Sequence, residues 1–306
     1  MCKGRRHKPL LTRPLVASIP HAHTGNVPPD IFDRGARRRR RDRAAPDYAA
    51  HDFVRTAMLD GIADRLATVT RSFEAILDLG CFDGSFPAPP GARVARCDSG
   101  FAFARGSGGV QADEDCLPFA DGAFDCVVSA GVLDQVNDLP GALTLARRAL
   151  RPDGLFLAAF VGGGSLPALR ATLRAAEPEP PAARLHPQID VRSAGDLLVR
   201  AGFALPVADV ETLDVGYGDL GRLLSDLRGM AATNVLRNRA PLASATLAAA
   251  ARAFAARADV AGRVRERFDI VFLTGWAPDA SQPLPARRGS ATTSLADALR
   301  SRPSAD

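Results

Sequence analysis

Beyond position 8 this chain of 306 residues contains no lysine: Lys3 and Lys8 are the only two, and every other basic side chain is arginine. That bias, with the abundant alanine, points to a GC-rich coding sequence more than to a physical requirement. Cysteine is scarce and shows no pairing pattern. The five present (Cys2, Cys81, Cys97, Cys116, Cys126) are an odd number at irregular spacings, with no C-x-x-C pair. This argues against a disulfide framework and a zinc site, and for a reducing compartment. No apolar run approaches the roughly 20 residues that a membrane helix needs. The longest, Leu155 to Val161, has the length of a buried strand. Pro14 and Pro20 bracket too short an apolar stretch for a secretory core. Together these absences predict a cytoplasmic protein without a membrane span.

What is present suits a globular body. Hydrophobic residues make up 46% and charged residues 24%, enough to build a core. The length fits one large domain with appendages, or two small ones. The net charge of +5 is unevenly placed. Residues 1–43 hold 12 Lys and Arg against 3 Asp, a balance of +9, which leaves −4 on the other 263 residues. Only the arm is basic, so a nucleic-acid-binding face on the body is not supported.

Residues 1–29 mix Pro, His, Arg and Thr without periodicity and read as a disordered extension. They are acid-poor like a transit peptide, but an upstream extension without function is the preferred reading. Residues 30–277 form the expected domain: N-terminal helices over 30–70, a cofactor-binding half over 71–161, and a C-terminal half over 162–277. Residues 278–306 read as a polar tail. Ile31 to Ala45 reads as a basic helix capped by Asp33, and His51 to Val69 as an amphipathic one. Strands are expected at Ala75 to Leu79, Arg93 to Cys97, Gly109 to Ala112, Phe124 to Ser129, Gly154 to Val161, Leu205 to Val215 and Phe268 to Trp276. Helices are expected at Leu139 to Leu150, opened by Asp138, near Ser165 to Ala176, and at Ser193 to Ala201. Two more, Asp219 to Met230 and Leu242 to Arg257, form an insertion before the last strand. Strands separated by helical stretches imply right-handed crossovers and a parallel sheet, with a late antiparallel strand.

The most informative stretch is Ala75-Ile76-Leu77-Asp78-Leu79-Gly80-Cys81-Phe82-Asp83-Gly84, an apolar strand running into a glycine turn. Such a turn lets a nucleotide-like ligand approach the main chain. The pattern D-x-G-x-x-x-G resembles the first motif of class I S-adenosylmethionine-dependent methyltransferases. That resemblance implies a Rossmann-like seven-stranded α/β sheet with helices on both faces. Asp78, Gly80, Cys81 and Gly84 would then meet the cofactor. Asp98 is placed to accept from ribose hydroxyls, Ala112 and Asp113 resemble the segment that meets adenine, and Ser129-Ala130-Gly131 would line the methionine end. Two departures run the other way. Phe82 stands where that motif has its middle glycine. The first helix is truncated, because Pro87, Pro89 and Pro90 exclude a helix interior between Gly84 and the second strand. Both predict weak or absent affinity for S-adenosylmethionine.

The resemblance sharpens elsewhere. The runs IFDRGARRRRRDRAA, LPFADGAFDCVVSAGVLDQVNDLPGAL, RRALRPDGLFLAAFVGGGSLPALR and ARRGSATTSL are similar to mitochondrial complex I assembly factor 5 and its bacterial relatives. The similarity spans Ile31 to Leu295. It implies action on a respiratory complex I subunit, by methylation or by arginine hydroxylation. Asp134-Gln135 replaces the His-Trp more usual in that family. No catalytic base declares itself: His186 reads as a surface or capping residue, and Asp134 sits near the pocket mouth but also suits helix capping. The body offers only His51 and His186, too few for a two-histidine-one-carboxylate iron set, so no metal is expected. Arginines 37–41 read first as a solvated face, then as a docking arm for an acidic protein surface. RNA binding is a distant third, for want of interleaved aromatics. Three readings stay open: a methyltransferase, an arginine-modifying assembly enzyme, and a degenerate domain acting as an assembly chaperone.

Overall fold

The computed structural model describes residues 30–177, 181–283 and 294. The expected extension over 1–29, most of the tail and the run ARRGSATTSL lie almost wholly outside these. A seven-stranded sheet organises the body: β1 (Ala75–Leu79), β2 (Arg93–Asp98), β3 (Val110–Gln111), β4 (Phe124–Ala130), β5 (Leu150–Val161), β6 (Ala204–Tyr217) and β7 (Val264–Trp276). Their spatial order is β3-β2-β1-β4-β5-β7-β6, with β7 antiparallel to both neighbours and the other pairings parallel. Sequence order reverses between β1 and β4, and in open α/β sheets that crevice is where ligands bind. β1 is buried along its whole length, as a central parallel strand covered on both faces must be.

Helices α1 (Arg34–Ala44), α2 (Phe53–Ala67), α3 (Phe101–Gly106), α4 (Leu139–Ala149), α5 (Pro167–Ala176), α6 (Val191–Arg200), α7 (Leu220–Gly229) and α8 (Ser244–Ala255) complete the fold. One core layer joins α3, α4 and α6 to the sheet through Phe103, Leu143 and Leu198. The other joins α2, α5, α7 and α8 through Ile62, Leu169, Leu223 and Phe254. Several boundaries follow capping chemistry. Asp33 accepts from the Ala36 amide, Asp138 from Gly141, Asp190 from Ser193 and Asp219 from Arg222, each side chain satisfying an orphan N–H at a helix start.

The missing first helix is confirmed: residues 85–92 carry no helix between β1 and β2. The insertion before the last strand is α7 and α8. Three short elements escaped sequence reading: α3, and 3-10 turns at Ala45–Ala50 and Leu133–Gln135. β5 also starts earlier than expected. Leu150 pairs with Phe124 ahead of a register shift, which draws Arg-Pro-Asp-Gly into the strand.

Candidate active site

The turn after β1 is held by the neighbouring strand. The amides of Gly80 and Cys81 both donate to the Cys97 carbonyl, at 2.8 and 3.0 Å, and the Gly84 amide returns to Cys81 at 2.8 Å. Gly80 and Gly84 have φ of +78° and +77°, a conformation glycine adopts without strain. Phe82 adopts φ of 48° without that freedom. Its ring is 3% exposed, stacked on Tyr48 at 4.9 Å between centroids and edge-on to Phe103 at 5.2 Å. The departure from glycine thus builds an aromatic floor beneath the crevice. The Cys81 thiol is buried beside Ser107, and burial pushes it up to about 12.

Asp98 ends β2 as expected and is fully buried. Arg41 of α1 donates Nε to Oδ1 at 2.8 Å and Nη2 to Oδ2. The amides of Gly100 and Phe82 donate to the same two oxygens, at 2.7 and 3.0 Å. Arg41 also lies 3.9 Å above the centre of the Phe82 ring, a cation–π geometry. Asp113 follows β3, where Arg38 meets it at 2.5 Å and Arg34 at 3.4 Å. Arg37 grips Glu114 through two bonds of 2.5 and 2.8 Å, and Arg34 grips Asp115. The reading of arginines 37–41 as a solvated face is therefore wrong for its key members: Arg37 and Arg41 are 5% and 3% exposed. The acids that bury them sit far away in sequence and come together only through the sheet.

Asp78, fully buried, has no hydrogen-bond partner for either oxygen among the described residues, and neither has the buried Ser129 hydroxyl. Burial pushes Asp78 up to about 6, against the pull of Arg55. Asp78, Asp98, Asp113 and Ser129 thus stand at or just past the ends of β1, β2, β3 and β4. Ala112 donates its amide to the Asp98 carbonyl at 3.0 Å. Of the expected run Ser129-Ala130-Gly131, it is Gly131 that lines the open space beyond.

That space is two small adjoining cavities of about 60 and 50 Å³, each with room for a few waters. Asp134, Gln135, Val161, Met230 and Ala232 wall both. Asp134 does not cap α4, a role that belongs to Asp138. It lies in the 3-10 turn beside the cavities, and burial pushes its carboxyl up to about 6 against the pull of Arg37. His186 caps no helix: its Nε2 accepts the amide of Val235, a loop residue, at 2.9 Å, and burial holds the ring down at about 4. Among the described residues no cluster of His, Cys, Asp or Glu has metal-binding geometry, and no helix is long and apolar enough to cross a membrane.

A bound nucleoside does not fit these residues in the conformation described. A carboxylate offers about four acceptor positions, and four donors already fill those of Asp98. Sequence reading missed Arg41, Arg55, Tyr48 and Met58 as cavity walls. The signal available was the spacing of Arg34, Arg37, Arg38 and Arg41, one stripe of a helix, against the acidic run Asp113-Glu114-Asp115.

Residues 77–158 match the methyltransferase domain family. A protein named arginine-hydroxylase NDUFAF5, mitochondrial, of Danio rerio is 35% identical over 286 residues, covering 88% of this chain and 89% of its own. A malonyl-[acyl-carrier protein] O-methyltransferase of Methylovorus is 30% identical, over 83% of this chain and 93% of that one. Among solved structures, a Bacillus halodurans protein described as a methyltransferase superposes with a TM-score of 0.51 at 13% identity, covering 71% of this chain and 99% of its own. These matches support the class I fold, and the domain match supports S-adenosylmethionine as its cofactor. The mitochondrial name of the relatives overturns the expectation of a cytoplasmic protein, which rested only on missing export and membrane signals. At this identity and coverage, the chain belongs to the arginine-hydroxylase NDUFAF5 family of methyltransferase-fold proteins.

Proposed function

We propose that this protein modifies an arginine side chain of a protein substrate, a subunit of respiratory complex I being the class of substrate that the family resemblance favours. The observation that carries the reading is the charge balance of the twin cavities. Arg184 is engaged by Glu177 at 2.5 Å and by the Ala240 carbonyl at 2.5 Å. Arg41 is taken by Asp98, and Arg55 by Asp83 at 3.3 Å, Ser85 at 2.6 Å and the Cys81 carbonyl at 3.0 Å. His186 is neutral near pH 7 because its pKa is held at about 4. Asp134 remains as the wall charge without an ion-pair partner among the described residues. A carboxylate above apolar walls of Val161, Met230 and Phe268 suits a guanidinium on a hydrocarbon stem.

The alternative suggested by the Methylovorus relative is a malonyl substrate. A second carboxylate beside Asp134 would be repelled, which disfavours that reading. The name arginine-hydroxylase carried by the vertebrate relatives agrees with a guanidinium. Methylation of the same side chain is the second chemistry that the fold allows.

The test is mass spectrometry of complex I subunits from strains with and without the gene. An arginine that gains one oxygen supports hydroxylation, and one that gains a methyl group supports methyl transfer. Identical arginine masses in both strains would remove the proposal. Asp134→Asn should reproduce the deletion, while Asp134→Glu should retain part of the modification.

A further inference from the structure

Helix α1 lays a stripe of arginines along the acidic margin of the crevice. Arg34, Arg37, Arg38 and Arg41 project from one face onto Asp115, Glu114, Asp113 and Asp98. The ends of β2 and β3 deliver those acids, and the ribose and adenine of a nucleoside would lie there. We propose that α1 is an in-chain occupant of the nucleoside site, and that S-adenosylmethionine enters only when α1 lifts away.

Three observations support the assignment. The first is saturation. Arg41 supplies two of the four donors on Asp98, and removing those two restores the two acceptor positions that a ribose diol needs. The second is close approach. A Cβ built on Gly100 would lie 2.8 Å from Cβ of Arg41, so the backbone after β2 is shaped to receive this helix. Asp42 of the same helix accepts the Ala102 amide at 2.9 Å, next to the start of α3. The third is how α1 is held. Its buried residues are Ala36 and Ala44 with two arginines, whereas α4 buries Leu139, Leu143 and three alanines. Buried ion pairs contribute little net stability once desolvation is counted, so α1 is held far less firmly than a helix with an apolar face. Its flanks are fixed, Phe32 against Val235 and Leu236 and Tyr48 against Phe82. Release is therefore a local lift between two anchors.

The cost of lifting enters as an apparent affinity reduced by the fraction of molecules that are open. Calorimetry with S-adenosylhomocysteine tests this on the full chain. Arg41→Gln should bind about tenfold tighter than wild type or better, a change that reads the closed fraction directly. In the wild type, saturating ligand should expose the bonds after residues 34–43 to trypsin, scored by mass spectrometry of the fragments. Equal affinities in wild type and Arg41→Gln would overturn the proposal. So would silence from both at millimolar ligand while circular dichroism shows both folded. If Arg41→Gln fails to fold, the wild type decides alone: ligand-induced cleavage within 34–43 supports the lift, and unchanged protection overturns it.

Discussion

The guanidinium of Arg55 stops 3.9 Å from the carboxylate of Asp78 and directs its donors elsewhere, to Ser85 at 2.6 Å and the Cys81 carbonyl at 3.0 Å. Asp78 is thereby left fully buried with a cation near it but no hydrogen bond among the described residues. Burying a carboxylate on those terms raises its pKa, here to about 6.

A raised acid pKa means that the folded chain holds the proton more tightly than the unfolded one. Its contribution is most favourable below the unfolded value of 3.8 and is lost as pH rises through about 6. Asp78→Asn should therefore be more stable than wild type at pH 7.5, by about 3 kcal/mol at most. The advantage should vanish by pH 4. Urea denaturation at both pH values checks this, and a difference independent of pH would show that the carboxylate is paired after all.

Phe82 carries two opposed effects. Its ring fills a buried niche between Tyr48, Phe103 and Arg41, and truncating a buried Phe costs about 3–5 kcal/mol. Its backbone, at φ of 48°, suits glycine better. Phe82→Gly should then be destabilised less than Phe82→Ala, by about 1 kcal/mol. Thermal melting of the two variants decides the order. Phe82→Gly should bring no gain in cofactor affinity in the closed state, because Arg41 still occupies Asp98.

Gly100 tests the seat of α1 without touching any charge. Gly100→Ala places a methyl group 2.8 Å from Cβ of Arg41, and overpacking of this kind costs about 1–3 kcal/mol. Amide exchange across residues 34–44 should quicken while the amides of β1 and β4 stay protected. Uniform loss of protection would instead mean that α1 and the sheet open as one unit.

His186 should remain uncharged through mild acid, since burial holds it at about 4. A depressed histidine pKa stabilises the fold above its unfolded value of 6.5, and that stability is lost as pH falls toward 4. His186→Phe should remove this acid sensitivity and leave the Val235 amide without its acceptor, at a cost of about 1–3 kcal/mol at pH 7. A ring proton resonance that titrates near pH 6.5 would contradict the burial.

The arrangement of strands was legible because each signal is local. Ala75 to Leu79 is apolar but for Asp78, Gly80 and Gly84 permit the turn behind it, and Asp33 and Asp138 cap helices that begin at the next residue. The prolines at 87, 89 and 90 excluded the first helix for the same reason, since a proline has no amide to donate. The short helix α3 was not legible, because six residues carry too little periodicity to stand out.

By itself, then, the sequence determined the sheet, its likeness to a methyltransferase and the positions of the strand-end carboxylates, all set by neighbours a few residues away. Only the tertiary structure decided which charges meet. Arg41 and Asp98 are 57 positions apart, and Arg37 and Glu114 are 77 apart; no periodicity connects them until β2 and β3 have been laid beside β1. An arginine is solvated or buried according to what stands opposite it. For α1 the opposite wall is the crevice itself, and so a charged face became the contents of the site.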